Sequence, residues 1–269
     1  MRAAIFSLLP VRRGSTIASI RIGYWLSIHL GVPLHDDQRI LDEGDLDVLF
    51  IINGSTLYCK FLPELAQVIS KARAVVWVQN DYTLPPPKAE SAAQSPFRRA
   101  FAARKLVPHY WTTCEPAAAA TAGSAYVNWN ALAYAPGAPT ATLDNPTTIY
   151  YGAYRVGRSD SFNSMVRMSS ELNLKISSTS NKFPADLRID PFRENLYTSL
   201  CDYGLGVYAQ DRKSVTGGHS PATRFYEMLS VGLPIAFLPD CVETFKNYGY
   251  DVEPYLLTPD ALHHRHQWA

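Results

Sequence analysis

Glu227 stands one helical turn inside the segment His219-Ser220-Pro221-Ala222-Thr223-Arg224-Phe225-Tyr226-Glu227-Met228-Leu229-Ser230-Val231-Gly232-Leu233-Pro234-Ile235, where the chain's chemistry is most legible. Ser220 is a favourable N-cap, Pro221 suits the first turn of a helix Pro221–Val231, and Gly232-Leu233-Pro234 closes it before a strand Ile235–Leu238. A helix begun this way aims unpaired backbone N–H groups at one spot beside Arg224, where its dipole favours an anion such as a diphosphate. Glu227 offers ribose hydroxyls a carboxylate. The same residues also fit an ordinary helix–strand unit with Arg224 and Glu227 on a solvated face.

In open parallel sheets ligands bind beyond the carboxyl ends of the strands, so the residues just after each predicted strand are where chemistry is sought. After the first strand comes Val11-Arg12-Arg13-Gly14-Ser15-Thr16. This basic turn into a helix suits a phosphate or is simply a solvated turn, and it lacks the GxxxxGK[ST] spacing of a P-loop. After the third comes Gln79-Asn80-Asp81-Tyr82, where Asp81 is placed to act as general base on an acceptor hydroxyl. An N-cap or Asx-turn is the plainer use of Asn80-Asp81.

Two further polar stretches belong to the second half. Tyr151-Gly152-Ala153-Tyr154-Arg155-Val156-Gly157-Arg158 combines glycines that permit close approach with Arg155 and Arg158, which can grip phosphate oxygens in bidentate fashion. The GxGxxG fingerprint is absent, which disfavours a nicotinamide enzyme. Gln210-Asp211-Arg212-Lys213 and Thr216-Gly217-Gly218-His219 precede the Glu227 helix, with His219 either facing a sugar or lining the loop.

The elements that must position these residues read as α/β. Apolar runs predict strands Ala4–Leu8, Val48–Ile52, Ala74–Val78 and Tyr110–Thr113, alternating with helices near Ile17–Leu30, Pro63–Lys71 and Ser95–Arg104. The pattern restarts with strands Thr148–Ala153, Leu172–Ser177, Leu205–Tyr208 and Ile235–Leu238, and helices near Ser161–Glu171, Pro191–Leu200 and Pro221–Val231. Such alternation implies two doubly wound parallel sheets. The proline-rich stretch Ala135–Pro146 reads as the connector, giving domains 1–140 and 147–269.

Composition sets outer limits. The 269 residues, 47% hydrophobic and 18% charged, describe a globular protein with a substantial core. A net charge of +1 means that any nucleic-acid contact must come from a local patch. Four scattered cysteines, Cys59, Cys114, Cys201 and Cys241, form no CxxC pair, which points to core thiols in a reducing compartment. No apolar run is long enough to span a membrane, and the N-terminus reads as a strand.

Two doubly wound halves, Gly152 with Arg155 and Arg158 opening the second, and Ser-Pro-x-x-x-x-Tyr-Glu-x-x-x-x-Gly-Leu-Pro near its end resemble the GT-B glycosyltransferases. The architectural likeness covers nearly the whole chain, while the motif match is confined to the second half. The resemblance implies two Rossmann-like domains facing a cleft, with the nucleotide-sugar on the C-terminal domain and the last segment returning to the N-terminal one. Donor contacts would then come from Gly152, Arg155, Arg158, Lys213, Ser220, Arg224 and Glu227, with Glu227 on the ribose. Many retaining members carry a second Glu eight residues before the ribose-binding one, and here that position is His219.

The compact size, Gly14-Ser15-Thr16, Gln79-Asn80-Asp81-Tyr82 and Tyr126-Val127-Asn128-Trp129-Asn130 look more specifically like phage-encoded enzymes that glycosylate hydroxymethylated pyrimidines in DNA. That likeness implies transfer of a hexose, glucose first, from a UDP-sugar to a hydroxyl of such a base. Asp81 and His219 would be catalytic, while Arg12, Arg13, Ser15, Thr16 and Asn80 would serve the acceptor. DNA would be the partner of a monomer or weak dimer in the host cytoplasm, with fixed arginines rather than a metal neutralising the diphosphate. A transferase acting on lipid, protein or a small molecule, and a silent sugar-nucleotide-binding module, are the alternatives.

Overall fold

The computed structural model describes residues 1–7, 18–52, 62–79, 109–112, 119, 123–135, 137–152, 159–178, 183–189, 196–209 and 221–268. The chain divides into two compact units, Met1–Trp129 and Asn130–Ala269.

The first unit is built on six parallel strands, β1 (Ala3–Ser7), β2 (Leu34–His35), β3 (Leu46–Ile52), β4 (Ala72–Gln79), β5 (His109–Thr112) and β6 (Ser124–Tyr126), in the order β2-β1-β3-β4-β5-β6. Helix α1 (Ala18–Leu30) follows β1, and α2 (Leu62–Lys71) follows β3. The central strands are continuous apolar runs because both sheet faces are covered, and all five residues of β1 are buried. The expected strands appear shifted by a residue or two. The short edge strands β2 and β6 are additions, and the expected helix Ser95–Arg104 lies outside the described residues.

A polar cluster closes the edge of this sheet. Glu43 accepts from His35 Nε2 at 2.9 Å and pairs with Arg2 at 3.2 Å, while Lys71 donates to the Leu41 and Glu43 carbonyls. Burial alone would push the Glu43 carboxyl up, but the hydrogen bonds and charges of His35 and Arg2 outweigh it and hold it below the usual glutamate range.

The second unit holds five parallel strands, β7 (Thr148–Tyr151), β8 (Leu174–Ser177), β9 (Arg188–Ile189), β10 (Leu205–Tyr208) and β11 (Ile235–Phe237), in the order β11-β10-β7-β8-β9. Its described helices are α3 (Ser159–Arg167), α4 (Leu196–Leu200), α5 (Thr223–Ser230), α6 (Val242–Asn247) and α7 (Ala261–Trp268). The chain moves outward from β7 to β9, then returns to lay β10 and β11 on the other side of β7. The strand order therefore reverses between β7 and β10, the place where doubly wound sheets bind ligands.

The core beneath this reversal is aromatic. Tyr150, Phe162, Tyr208 and Phe245 are fully buried, and Tyr150 meets Phe162 edge to face at 5.0 Å. Gly206 brings β10 against α5, since a Cβ there would stand 2.3 Å from Met228 Sδ. Leu172 and Asn173, expected to open β8, form a turn instead, with Asn173 in the left-handed region at φ 43°. Among the described cysteines, Cys241 is buried and Cys201 half-buried, both as free thiols.

The proline-rich stretch does not separate the units. Ala141 N–H donates to Val231 O at 2.7 Å, Thr142 N–H to Cys201 O at 3.3 Å, and the Asn145 amide to Asp202 O at 2.8 Å, so it packs on the second unit. The division falls earlier, after Trp129. In the terminal helix α7, Arg265 donates to Leu143 O, and Trp268 packs on Tyr255.

Two stability tests follow from these contacts. A Cβ on Gly204 would stand 2.0 Å from Asn145 O, a main-chain atom that cannot swing aside. Gly204→Ala is expected to lose about 2 kcal/mol or more in urea unfolding, and a loss under about 0.5 kcal/mol would contradict this packing. Glu43 stabilises the folded chain fully above the unfolded glutamate pKa, and that contribution drains away as pH falls through its lowered folded value. Urea melts from about pH 6 to about pH 3 should show a shallower decline in Glu43→Gln than in the wild type.

Candidate functional site

Arg224 occupies the reversal point of the second sheet. It is the second residue of α5, whose start faces the carboxyl ends of β7 and β10. Nη1 donates to the carbonyl of Tyr151, the last residue of β7, at 3.2 Å. Nη2 donates to the carbonyl of Ala209, just past β10, at 3.0 Å. The guanidinium carbon lies 5.8 Å from the centroid of the Tyr208 ring, within cation–π range. One side chain thus ties together two strand ends far apart in sequence. Its Nε is buried, with no hydrogen-bond partner among the described residues.

Gly152 makes room for this arrangement. Its φ of 138° lies in a region that L side chains rarely adopt, and a Cβ would stand 2.2 Å from Arg224 Nη1. The glycine thus serves close approach, as its sequence context implies, but the group approaching it here is a guanidinium of the same chain.

Glu227 is wholly buried, which excludes the solvated-face reading of this carboxylate. The Tyr151 hydroxyl lies 2.9 Å from Glu227 Oε2 and 3.2 Å from the Arg224 carbonyl. A carboxylate taken out of water must be hydrogen-bonded or charge-paired, and the phenol meets part of that need. Burial works against the Arg224 charge, yet Tyr150, Tyr208, Tyr151 and the Glu227 carboxylate outweigh it and hold the guanidinium above its ordinary value. Arg224 therefore stays cationic throughout the physiological range.

The start of α5 differs from the sequence expectation. The N-cap is Ala222, at φ −71° and ψ 161°, and the helix opens at Thr223 without a side-chain cap. Pro221 stays outside the helix because its carbonyl accepts from the buried Asn130 amide at 3.0 Å. The Ala222 N–H is taken by the Tyr208 hydroxyl at 2.8 Å.

Of the sequence candidates, Gly152, Arg224 and Glu227 are brought together. Arg12, Arg13, Ser15, Thr16, Asn80, Asp81, Arg155, Arg158, Lys213, His219 and Ser220 lie outside the described residues. Tyr151, Tyr208 and Asn130 were not singled out by sequence reasoning as partners of this site. The one signal that could have found two of them is that both strands flanking the reversal end in tyrosine.

No described helix is long and apolar enough to cross a membrane, and the described residues contain no group of three or more His, Cys, Asp or Glu that could hold a metal ion. A cavity of about 390 Å³ lies beside the edge strand β11, lined by residues that include Phe225, Tyr250, Tyr255 and Trp268. None of Gly152, Arg224 or Glu227 lines it.

A scan against protein-family models finds no match, and neither does a search of curated protein sequences. Solved structures do match. An alpha-glucosyltransferase in complex with UDP and a 13-mer DNA containing a HMU base superposes with a TM-score of 0.60 at 10% identity, over 99% of this chain and 89% of that one. An alpha-glucosyltransferase with UDP and a 13-mer DNA containing a central A:G mismatch gives 0.56 at 11% identity, with the same coverage. The chain shares their fold.

The contact between Gly152 and Arg224 is directly testable. Gly152→Ala is expected to destabilise the protein by about 1–3 kcal/mol in denaturant melts. In an Arg224→Ala background that cost should shrink by about 1 kcal/mol, leaving the backbone strain. Equal costs in both backgrounds would contradict the contact.

Proposed function

We propose that the protein is a glycosyltransferase that moves a hexose, glucose first, from a UDP-sugar to a hydroxyl of a 5-hydroxymethylpyrimidine in DNA. The observation that carries this reading is the cluster of Arg224, Tyr151, Gly152 and Glu227 at the strand reversal of the second sheet, a position suited to a nucleotide. The shared fold with two alpha-glucosyltransferases solved with UDP and DNA supports it.

In this reading the second unit holds the donor and the first unit the acceptor, in the manner of a GT-B pair. Glu227 accepts from the ribose hydroxyls. Arg155, Arg158 and Lys213, with the start of α5, meet the diphosphate and stabilise the charge that grows as it leaves. Arg224 contributes positive potential from behind, because two of its N–H groups are committed to strand-end carbonyls. Arg12, Arg13, Ser15, Thr16 and Asn80 serve the acceptor, whose base must leave the stack to reach the sugar.

The acceptor oxygen forms a bond to the anomeric carbon as the bond from that carbon to the phosphate oxygen breaks, and UDP departs with the bonding pair. An α-linked product from an α-linked donor retains configuration. The likeness to two alpha-glucosyltransferases therefore favours the scheme in which the departing phosphate oxygen takes the acceptor proton on the same face. His219 faces the sugar. Inversion would instead use Asp81 as base on the opposite face.

The test is to incubate the protein with UDP-glucose and duplex DNA containing 5-hydroxymethylpyrimidines, digest to nucleosides and look for a hexose mass increment. The wild type is expected to give the increment, and Glu227→Ala to lose about tenfold or more of it, the scale of one hydrogen bond to a charged group. UDP binding without any increment would redirect the acceptor away from DNA. No UDP binding would overturn the donor assignment.

A further inference from the structure

We infer that Tyr151 is a positioning residue for donor specificity: its phenol presets the Glu227 carboxylate, so that discrimination between ribose and deoxyribose at this site depends on a group with no need to touch the nucleotide. The inference rests on the donor reading above and deepens it.

Tyr151 ends β7 and is held against α5 at both of its polar ends. Its carbonyl accepts from Arg224 Nη1 at 3.2 Å, and its hydroxyl stands 2.9 Å from Glu227 Oε2 and 3.2 Å from the Arg224 carbonyl. The Tyr151 ring is itself buried, in the same apolar cluster as Phe225 of α5. Glu227 has three rotatable side-chain bonds and is fully buried, so the phenol hydrogen bond selects one orientation for it before any ligand arrives. A carboxylate has about four acceptor sites, so a bond from the phenol is compatible with further bonds to the same group. Fixing a flexible acceptor in advance removes the ordering cost that binding would otherwise carry, and selectivity for a hydroxyl is greatest where its partner cannot swing away.

A merely structural tyrosine would support the fold and bind all nucleotides equally less well when altered. A positioning tyrosine changes the ratio between them. The experiment measures affinities of the full chain for UDP, 2′-deoxy-UDP and 3′-deoxy-UDP by calorimetry, in wild type, Tyr151→Phe, Glu227→Gln and the double variant. The wild type is expected to prefer UDP over at least one deoxy analogue by about tenfold or more, and Tyr151→Phe to lose most of that preference. In the Glu227→Gln background, Tyr151→Phe should change the ratio no further, because the phenol acts through the carboxylate.

An unchanged ratio in Tyr151→Phe, or an equal ratio change in both backgrounds, overturns the inference while leaving the donor reading in place. A wild type that binds UDP without preference overturns the ribose role of Glu227 and the inference with it. A wild type that binds no UDP overturns the donor reading itself. Should Tyr151→Phe fail to fold, 3-fluorotyrosine at position 151 replaces it, keeping the shape and hydroxyl while strengthening the donor. The ratio then moves if the phenol positions Glu227, and a fixed ratio overturns the inference.

Discussion

The guanidinium of Arg224, shared between the carbonyls of Tyr151 and Ala209, is the constraint on which the carboxyl ends of the second unit's central strands depend. Two parallel strands that part company at a reversal leave their last carbonyls facing one another without a ladder partner, and unsatisfied buried carbonyls are costly. A planar cation with donors on two arms can bridge them, which a compact ammonium cannot do with the same geometry. The requirement spreads outward. Residue 152 must be glycine to leave space, α5 must begin where its second residue reaches both strands, and the Tyr208 hydroxyl takes the Ala222 N–H just ahead of the helix.

Placing a permanent cation there also shapes the chemistry available. Buried charge is tolerated only with compensation, and Glu227, one turn along the same helix, supplies an anion whose own position is held by Tyr151. The result is a polar cluster set among the buried tyrosines Tyr150, Tyr151 and Tyr208. Nothing comparable is built at the edge of the first sheet, where Glu43, His35, Arg2 and Lys71 close a turn.

Much of this was legible in the sequence. Apolar runs such as Val48–Ile52 and Leu205–Tyr208 could only be strands covered on both faces, and their alternation with helical patterns implied two parallel sheets. Gly152 was picked out from one motif and Arg224 with Glu227 from another, and the fold joins them. The partners Tyr151 and Tyr208 were not legible because their roles arise between residues more than ten positions apart, and tyrosine in a strand reads equally well as core. The Ser220-Pro221 pair misled because it is a strong local signal for a helix start, overridden when the distant Asn130 drew the Pro221 carbonyl away from the helix. Strands β2, β6 and β9 are too short to carry a period, and the proline-rich stretch is tied to the second unit through Ala141, Thr142 and Asn145 by partners distant in sequence.

The central claim is that a nucleotide binds at the carboxyl ends of β7 and β10. A crystal structure of the protein grown with UDP tests it most directly. The account predicts the ribose within hydrogen-bonding distance of Glu227 and the diphosphate at the start of α5, with Arg224 still bridging Tyr151 and Ala209. Density for UDP elsewhere, whether at the end of the first sheet or in the cavity beside β11, with the β7–β10 ends unoccupied, would contradict it.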